Sequence, residues 1–226
     1  MRQVNTEHRG TRPLGTVSTV DALQEELERR ILEGDLRPGE HLGEIDLSEQ
    51  YRVGRNTLRA AFDGLVHRGL LARSRHRGVS VRVLTARDLA DVYELRTALE
   101  VQAAVRLASR RLVPSEAEGA LARLGLLTAR SPRSEQVDAD LAFHRSVVAG
   151  AGNARLTRAH AEMETEIRLC LAQLREEYAS LRTLTAEHTG ILRAIAAGDV
   201  AAAESAVRRH LEEATGWLVN AAGGVV

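Results

Sequence analysis

The chain has 226 residues, 44% hydrophobic and 27% charged, and its 31 cationic side chains, all arginine, balance 31 acidic ones. This composition excludes a disordered chain and argues against a protein that coats nucleic acid or membranes by bulk charge. The single cysteine, Cys170, excludes internal disulfides, and no apolar run approaches the roughly 20 residues of a membrane helix. We therefore expect a cytoplasmic protein with no membrane partner.

Residues 1–16 show no apolar periodicity and are expected to form a flexible arm. Three helices are predicted after this arm. The first ends before Gly34, the second spans about 46–52, and the third begins near Arg55 and ends at Gly69. The apolar stripes of the first and third helices have helical spacing and consist of Leu23, Leu27, Ile31, Leu58, Ala61, Phe62 and Leu65.

A β-hairpin is predicted after the third helix. Val79, Val81 and Val83 alternate with polar residues, which is the period of a strand, and the segment 71–73 can pair with them. Three helices followed by a small hairpin form a winged helix-turn-helix domain, which we place at 17–83.

Beyond residue 83 the sequence pattern is helical throughout, and Pro114, Pro132 and Gly198 mark turns. Long helices joined by short turns predict an antiparallel all-α bundle over 84–226. The predicted fold class is therefore mainly α, a winged helix-turn-helix followed by this bundle. The six predicted helices span 86–111, 115–130, 134–150, 153–178, 181–197 and 199–220.

The zero net charge conceals a basic block. Residues 50–83 contain eight arginines and one acid, Asp63, so their net charge is +7 (8 − 1). Arg55, Asn56 and Arg59 lie off the apolar stripe near the start of the third helix, where a recognition helix reaches base edges in the major groove. A solvated helix face is the alternative, but the helix-turn-helix spacing favours DNA binding.

Several motifs resemble the winged-helix domain of GntR-superfamily transcriptional regulators over about residues 18–83. They are the runs 31–42, 47–51 and 53–59. The resemblance implies that a recognition helix contacts operator DNA and that a wing tip reaches the minor groove. The matching residues are Arg55, Thr57 and Arg59 on the helix and Arg77 and Gly78 at the wing tip.

Two positions depart from the family pattern. Gly54 stands where a serine or threonine usually caps the recognition helix, and Asn56 stands where many members have threonine or proline. Asparagine can hydrogen-bond to adenine as arginine does to guanine, and Thr57 can reach a phosphate or a thymine methyl group. We expect these departures to change operator preference rather than to abolish binding.

Polar residues interrupt the apolar stripes of the predicted bundle. Asp140 and His144 are four residues apart and share one helix face. His188 and His210 each lie in an apolar stripe. Gly198 is 10 residues after His188 (198 − 188) and 12 before His210 (210 − 198), so the two imidazoles are level across a helical hairpin.

One divalent metal ion would satisfy all four inward polar groups, each of which costs about 1–3 kcal/mol if buried without a partner. Three nitrogens and one carboxylate suit Zn²⁺, Ni²⁺, Mn²⁺ or Fe²⁺, of which Zn²⁺ is favoured, and leave coordination positions open. Each histidine taken singly could instead be a hydrogen-bonded core residue. The other five of the eight histidines, His160 among them, are expected in the arm, the DNA-binding half or less apolar settings.

The segments 93–100, 140–144 and 188–210 resemble the FCD effector domain, which identifies the chain as similar to FadR-subfamily regulators. The resemblance implies that the aspartate and three histidines hold a divalent cation whose coordination a small carboxylate completes. Arg96 corresponds to an arginine often found beside that ligand. Arg96 also lies on the apolar side of its helix and needs a carboxylate, either from an effector or from Glu100 at i+4.

These features predict a homodimeric, DNA-binding transcriptional regulator, a repressor as is most common in such families. A two-fold dimer would read a short inverted repeat in double-stranded operator DNA. A small carboxylate bound at the metal would modulate its operator affinity. The alternatives are a constitutive regulator with a purely structural metal and a metal-dependent enzyme; the second leaves the winged helix unexplained, so we expect no enzymatic activity.

Overall fold

The computed structural model describes residues 18–74, 78–173 and 180–223. The predicted arm and the wing-tip residue Arg77 lie outside these ranges. Within them the chain is mainly helical with one small sheet, which confirms the predicted fold class. In chain order the elements are α1 (Thr19–Leu32), β1 (His41–Leu42), α2 (Glu44–Tyr51), α3 (Arg55–His67), β2 (Leu71–Ser74), β3 (Gly78–Val81), α4 (Ala86–Ala108), α5 (Ser115–Leu126), α6 (Arg133–Gly150), α7 (Ala154–Gln173), α8 (Leu181–Ala197) and α9 (Val200–Gly223).

The first three helices form the predicted helix-turn-helix core. The apolar stripes of α1 and α3 are buried at every predicted position. Ser18 caps α1 by accepting a hydrogen bond from the backbone N–H of Asp21. Arg52 ends α2 in a left-handed conformation with φ 53°, which turns the chain into α3 within three residues. The turn therefore fixes the position of α3 relative to α2.

The wing is a three-stranded antiparallel sheet in the order β1-β3-β2. Strand β1 has only two residues, too few for a periodicity to predict, and it pairs His41 with Ser80 of β3. Ala72 of β2 lies opposite the same residue on the other side. The prediction that Val83 continues the strand is wrong: its side chain is 55% exposed, because the chain leaves the sheet after Val81 and turns towards α4.

Helix α4 is central to the bundle and packs against α6, α7, α8 and α9. It begins at a capping box formed by Thr85 and Asp88. It ends at Ala108, three residues before the predicted end, and Arg111 has a left-handed φ of 51° in the turn that follows. Helix α5 is also shorter than predicted, because Leu127 is extended. Among the described residues no helix is long and apolar enough to cross a membrane.

The winged part and the bundle are in contact. Helix α1 packs against α7, and the apolar core extends through both parts. Beyond the end of β3, Arg82 donates hydrogen bonds to Glu166 of α7 at 2.7 Å and to Asp88 of α4 at 3.1 Å. Helix α7 therefore links the wing to the bundle.

Candidate metal centre and DNA-binding surface

Three helices bring the four predicted metal ligands together. Asp140 and His144 come from α6, His188 from α8 and His210 from α9. One ligand atom from each residue lies within 4.8 Å of the others, and all four side chains are buried. The sequence-based grouping of these four residues thus corresponds to one cluster in space.

The local chain geometry explains the convergence. The i,i+4 spacing places both α6 residues on one face. Gly198 ends α8 with φ 73°, a left-handed conformation that favours glycine, and reverses the chain into α9. The rings of His188 and His210 are consequently level, with centroids 4.8 Å apart. The ring of His188 also stacks on Phe143, with centroids 4.1 Å apart.

Hydrogen bonds to carboxylates define the tautomers of two of these histidines. Nδ1 of His144 is 2.6 Å from Oε2 of Glu100. Nδ1 of His210 is 2.6 Å from Oε2 of Glu187. A carboxylate only accepts hydrogen bonds, so each Nδ1 carries the proton and, in a neutral ring, each Nε2 presents a lone pair. The Nε2 atoms of the two rings are 3.2 Å apart. Facing lone pairs repel unless a cation, either a proton on one ring or a metal ion, lies between them.

The distances fit a divalent metal ion. With metal–nitrogen bonds of about 2.1 Å, ligand atoms at about 90–109° to each other lie about 3.0–3.4 Å apart. Nε2 of His144 is 3.2 Å from Nε2 of both His188 and His210. Oδ1 of Asp140 is 3.4 Å from Nε2 of His188, yet it accepts no hydrogen bond within the described part of the chain. The four side chains therefore fit the divalent metal ion that their residue types suggested.

The electrostatics of the cluster favour an ionised Asp140 beside a neutral His188, whereas Glu100 and Asp140 outweigh burial and raise the pKa of His144 above its ordinary value. Burial alone raises the pKa of Asp140, but His144, His188 and Arg96 outweigh it and lower this pKa below its usual range. Burial holds the pKa of His188 well below its ordinary value, and the neighbouring His144 and His210 lower it further. A neutral imidazole and an ionised carboxylate are the forms that bind a metal.

Glu100 of α4 connects the cluster to its surroundings. Its Oε2 accepts from His144, and its Oε1 accepts from Nε of Arg96 at 2.7 Å and from Nε2 of His160 at 3.2 Å. Burial raises the pKa of Glu100, but Arg96 and His144 outweigh burial and hold this pKa well below the usual range. Glu100 is thus an ionised carboxylate shared by three nitrogen donors.

The assignment of His160 to a less apolar setting is wrong, because its side chain is 2% exposed. The missed signal is the stripe Leu156, His160, Met163 and Ile167 on α7, all buried at helical spacing. Glu187 was also missed. It lies 11 residues before Gly198 (198 − 187), so the spacing that aligns the two histidines also brings it level with His210.

Arg96 pairs with Glu100, which was one of the two carboxylate partners left open by the sequence, the other being an effector. Its side chain is buried, and Nη1 also contacts the hydroxyl of Tyr93 at 3.2 Å. Nη2 has no hydrogen-bond partner among the described residues. Glu100 thus connects Arg96 to His144 of the cluster, and no described residue accepts a hydrogen bond from Nη2 of Arg96.

The predicted DNA-reading residues lie on an exposed surface at the start of α3. Arg55, Asn56 and Arg59 are exposed and Thr57 is half-buried. Nε of Arg59 donates to Oε2 of Glu44 of α2 at 2.8 Å. Gly54 is the N-cap residue of α3, a position where it supplies no side chain to the first turn. At the wing tip, Gly78 is exposed and Arg77 lies outside the described residues.

Two protein-family models match the chain. Residues 19–81 match "Bacterial regulatory proteins, gntR family", and residues 91–213 match the FCD domain.

Individual proteins are similar over different lengths. A protein of Paenarthrobacter nicotinovorans, named as the probable transcriptional repressor of a D-xylose utilization operon, is 31% identical over 197 residues, 86% of each chain. The Nta operon transcriptional regulator of Aminobacter aminovorans is 45% identical over 80 residues, 35% of this chain and 38% of that relative. A crystal structure of a protein assigned as a GntR transcriptional regulator from Rhodococcus sp. RHA1 is 26% identical, with a TM-score of 0.75 over 89% of this chain and 97% of that one.

Proposed function

The chain belongs to the gntR family of bacterial regulatory proteins, in its FadR-type group with an FCD domain, and on that premise we propose that it is an effector-responsive repressor. Members of this family bind DNA and regulate transcription, and the relatives are regulators, not enzymes. In this proposal the winged domain, 17–83, reads the operator and the helical domain, 84–226, binds a metal and an effector. Both act in the cytoplasm, where bacterial DNA lies.

The metal part of the proposal rests on the facing lone pairs of His144 and His210. Both rings are buried, and Glu100 and Glu187 accept hydrogen bonds from their Nδ1–H groups. Together with His188 and Asp140 they would hold one divalent cation, Zn²⁺ being favoured. When bound, such a cation would act as a Lewis acid that attracts a carboxylate.

The effector part rests on Arg96. Its buried Nη2 has no partner among the described residues, and its other contacts hold the guanidinium in a fixed orientation. A guanidinium is suited to a planar carboxylate. A small carboxylic acid that reaches both Arg96 and the metal would accept hydrogen bonds from this Nη2. We expect such an acid to be the effector.

The DNA part rests on the exposed surface of α3. Arg55, Asn56, Thr57 and Arg59 would contact base edges and phosphates in the major groove, and the wing-tip residues Arg77 and Gly78 would reach the minor groove. Homodimerisation would present two such surfaces to a short inverted repeat.

Helix α7 offers one route between the two functions. His160 of α7 donates to Glu100 beside the metal ligands, and Glu166, less than two turns further on, accepts from Arg82 beyond the wing. A shift of α7 on effector binding would therefore move both contacts. Coupling requires that the effector bind with different affinity in the DNA-bound and free states.

The proposal can be tested with the full chain. Native mass spectrometry would give the oligomer and the metal content. DNA duplexes enriched from a random library by the wild-type protein would then be titrated with metal-free protein, Zn²⁺-loaded protein, and Zn²⁺-loaded protein with a panel of small carboxylic acids. We expect a dimer with one metal per chain, an enriched inverted repeat, and at least one acid that changes the Kd for DNA.

Two results would contradict parts of the proposal. A protein that takes up no Zn²⁺ or Ni²⁺ would make the cluster a hydrogen-bonded core with a protonated histidine. A metal-loaded protein whose Kd for DNA is the same with every acid would be a constitutive regulator with a structural metal.

A further inference from the structure

Glu187 lies beside the proposed metal site, although it was not among the site residues predicted from the sequence. It precedes His188 on α8, yet its Oε2 is 2.6 Å from Nδ1 of His210 on α9. Its side chain is 20% exposed, whereas the imidazole of His210 is 2% exposed. A carboxylate with access to solvent therefore approaches a buried ring from the side opposite the cluster.

The hydrogen bond determines what Nε2 of His210 can do. Because Glu187 accepts a hydrogen bond from Nδ1–H, Nδ1 keeps the proton and Nε2 keeps its lone pair, which faces Nε2 of His144 at 3.2 Å. The same bond restricts rotation of the ring and raises the electron density on Nε2. Glu100 makes the equivalent contact with His144, but it also accepts from Arg96 and His160.

We infer that Glu187 is a positioning residue for the metal ion: it holds His210 in the tautomer and orientation that present Nε2 to the cation. The inference rests on the proposed metal site and deepens it. Glu187 is hydrogen-bonded to His210 and is not one of the four proposed ligands. Its effect on metal affinity is therefore exerted through a single ring.

Replacing Glu187 tests the role of a hydrogen-bond partner of a ligand more cleanly than replacing Glu100. Removing Glu100 would leave Arg96 buried without its carboxylate, so a Glu100 variant can fail to fold for reasons unrelated to metal. Glu187 is partly exposed, so its replacement leaves no buried charge unpaired. Glu204, which pairs with Arg208 on the surface of α9, offers a matched control for the loss of a carboxylate.

The experiment compares Zn²⁺ affinity of the wild-type chain with E187A, E187Q and E204Q, by competition with a chromophoric chelator. We expect E187A to weaken Zn²⁺ binding by about 10- to 100-fold and E204Q to leave it unchanged. E187Q should recover most of the loss, because its amide oxygen can still accept a hydrogen bond from Nδ1–H. Long-range ¹H–¹⁵N spectra of the metal-free proteins should show His210 protonated on Nδ1 in the wild type and E187Q, but no longer uniformly so in E187A.

The possible failures are distinguishable. Wild-type protein that binds no Zn²⁺ overturns the proposed metal site and this inference together. Wild-type binding with an E187A affinity within about 2-fold of it overturns only the role of Glu187. An E187Q affinity as low as that of E187A also overturns that role, since the effect would then come from charge and not from the tautomer.

Discussion

The start of α3 and the centre of the bundle use polar side chains in opposite ways. At α3 the side chain of Arg59 is 56% exposed and pairs with Glu44 at the surface. In the bundle, His188 has an exposure of 0% and lies among other buried polar groups. Exposed charges are screened by water and act on an external partner, whereas buried ones act mainly on each other.

This difference determines how each region can be identified and perturbed. The affinity of the proposed DNA-binding surface depends on the number and type of its arginines, so removing one arginine should remove only that residue's share of the DNA affinity. The proposed metal centre depends on which buried side chains pair with each other. Removing one member there leaves other buried groups unsatisfied, so its effects should be larger and less additive.

Replacing a metal ligand should have the largest effect. In His188→Ala we expect metal affinity to fall by at least about 100-fold, because losing only a hydrogen-bond partner of a ligand already costs about 10- to 100-fold. Isothermal titration with Zn²⁺ would measure the loss. His67→Ala, an exposed histidine of α3, should leave affinity unchanged. Stoichiometric, equally tight metal in His188→Ala would remove this residue from the ligand set.

Replacing an arginine that is predicted to read bases should have a smaller but specific effect. We expect Arg59→Ala to weaken binding to the enriched operator by about 1–3 kcal/mol and to relax base preference at one position of each half-site. Fluorescence anisotropy and a repeated selection would measure both. Arg87→Ala removes a more exposed charge, whose side chain is 90% exposed, from α4 and should change neither. Unchanged operator affinity in Arg59→Ala would exclude Arg59 from the interface.

Breaking the link between the two regions should have a modest effect. Glu166→Gln weakens the partly exposed pair with Arg82, and such pairs are worth about 0.2–1 kcal/mol. We expect the effect of the active carboxylic acid on the Kd for DNA to shrink while Zn²⁺ affinity itself remains. Glu162→Gln, on the exposed side of the same helix, is the control. A full response to the acid in Glu166→Gln would mean that α7 does not carry the coupling through this pair.

Restoring the missing cap of α3 should have the smallest effect. A Cβ added at Gly54 meets nothing within 4 Å, and its φ of −68° suits any residue. Gly54→Ser should therefore raise the free energy of unfolding by a few tenths of a kcal/mol, because serine can accept from the first turn. Urea denaturation would measure this. Gly54→Ala lacks the hydroxyl, and an equal gain in that variant would argue against a capping effect.

Much of the fold follows from local periodicity. The stripes of α1 and α3 are buried at the positions that their spacing predicts, and Gly198 turns the chain between α8 and α9. The short strand β1 could not be predicted, because two residues show no period. The exposure of Val83 could not be predicted either, because a strand's end depends on where its pairing partners end.

The candidate site divides in the same way. The sequence alone determined the basic surface of α3 and the four inward polar residues, because periodicity sets the side of a helix on which a residue lies. Only the tertiary structure decided that Glu100 pairs with Arg96, His144 and His160, that Glu187 pairs with His210, and that Glu166 of α7 contacts Arg82 beyond the wing. These pairings depend on how far each helix is rotated and shifted against its neighbours. That rotation and shift result from packing the whole core, which no local stretch of sequence contains.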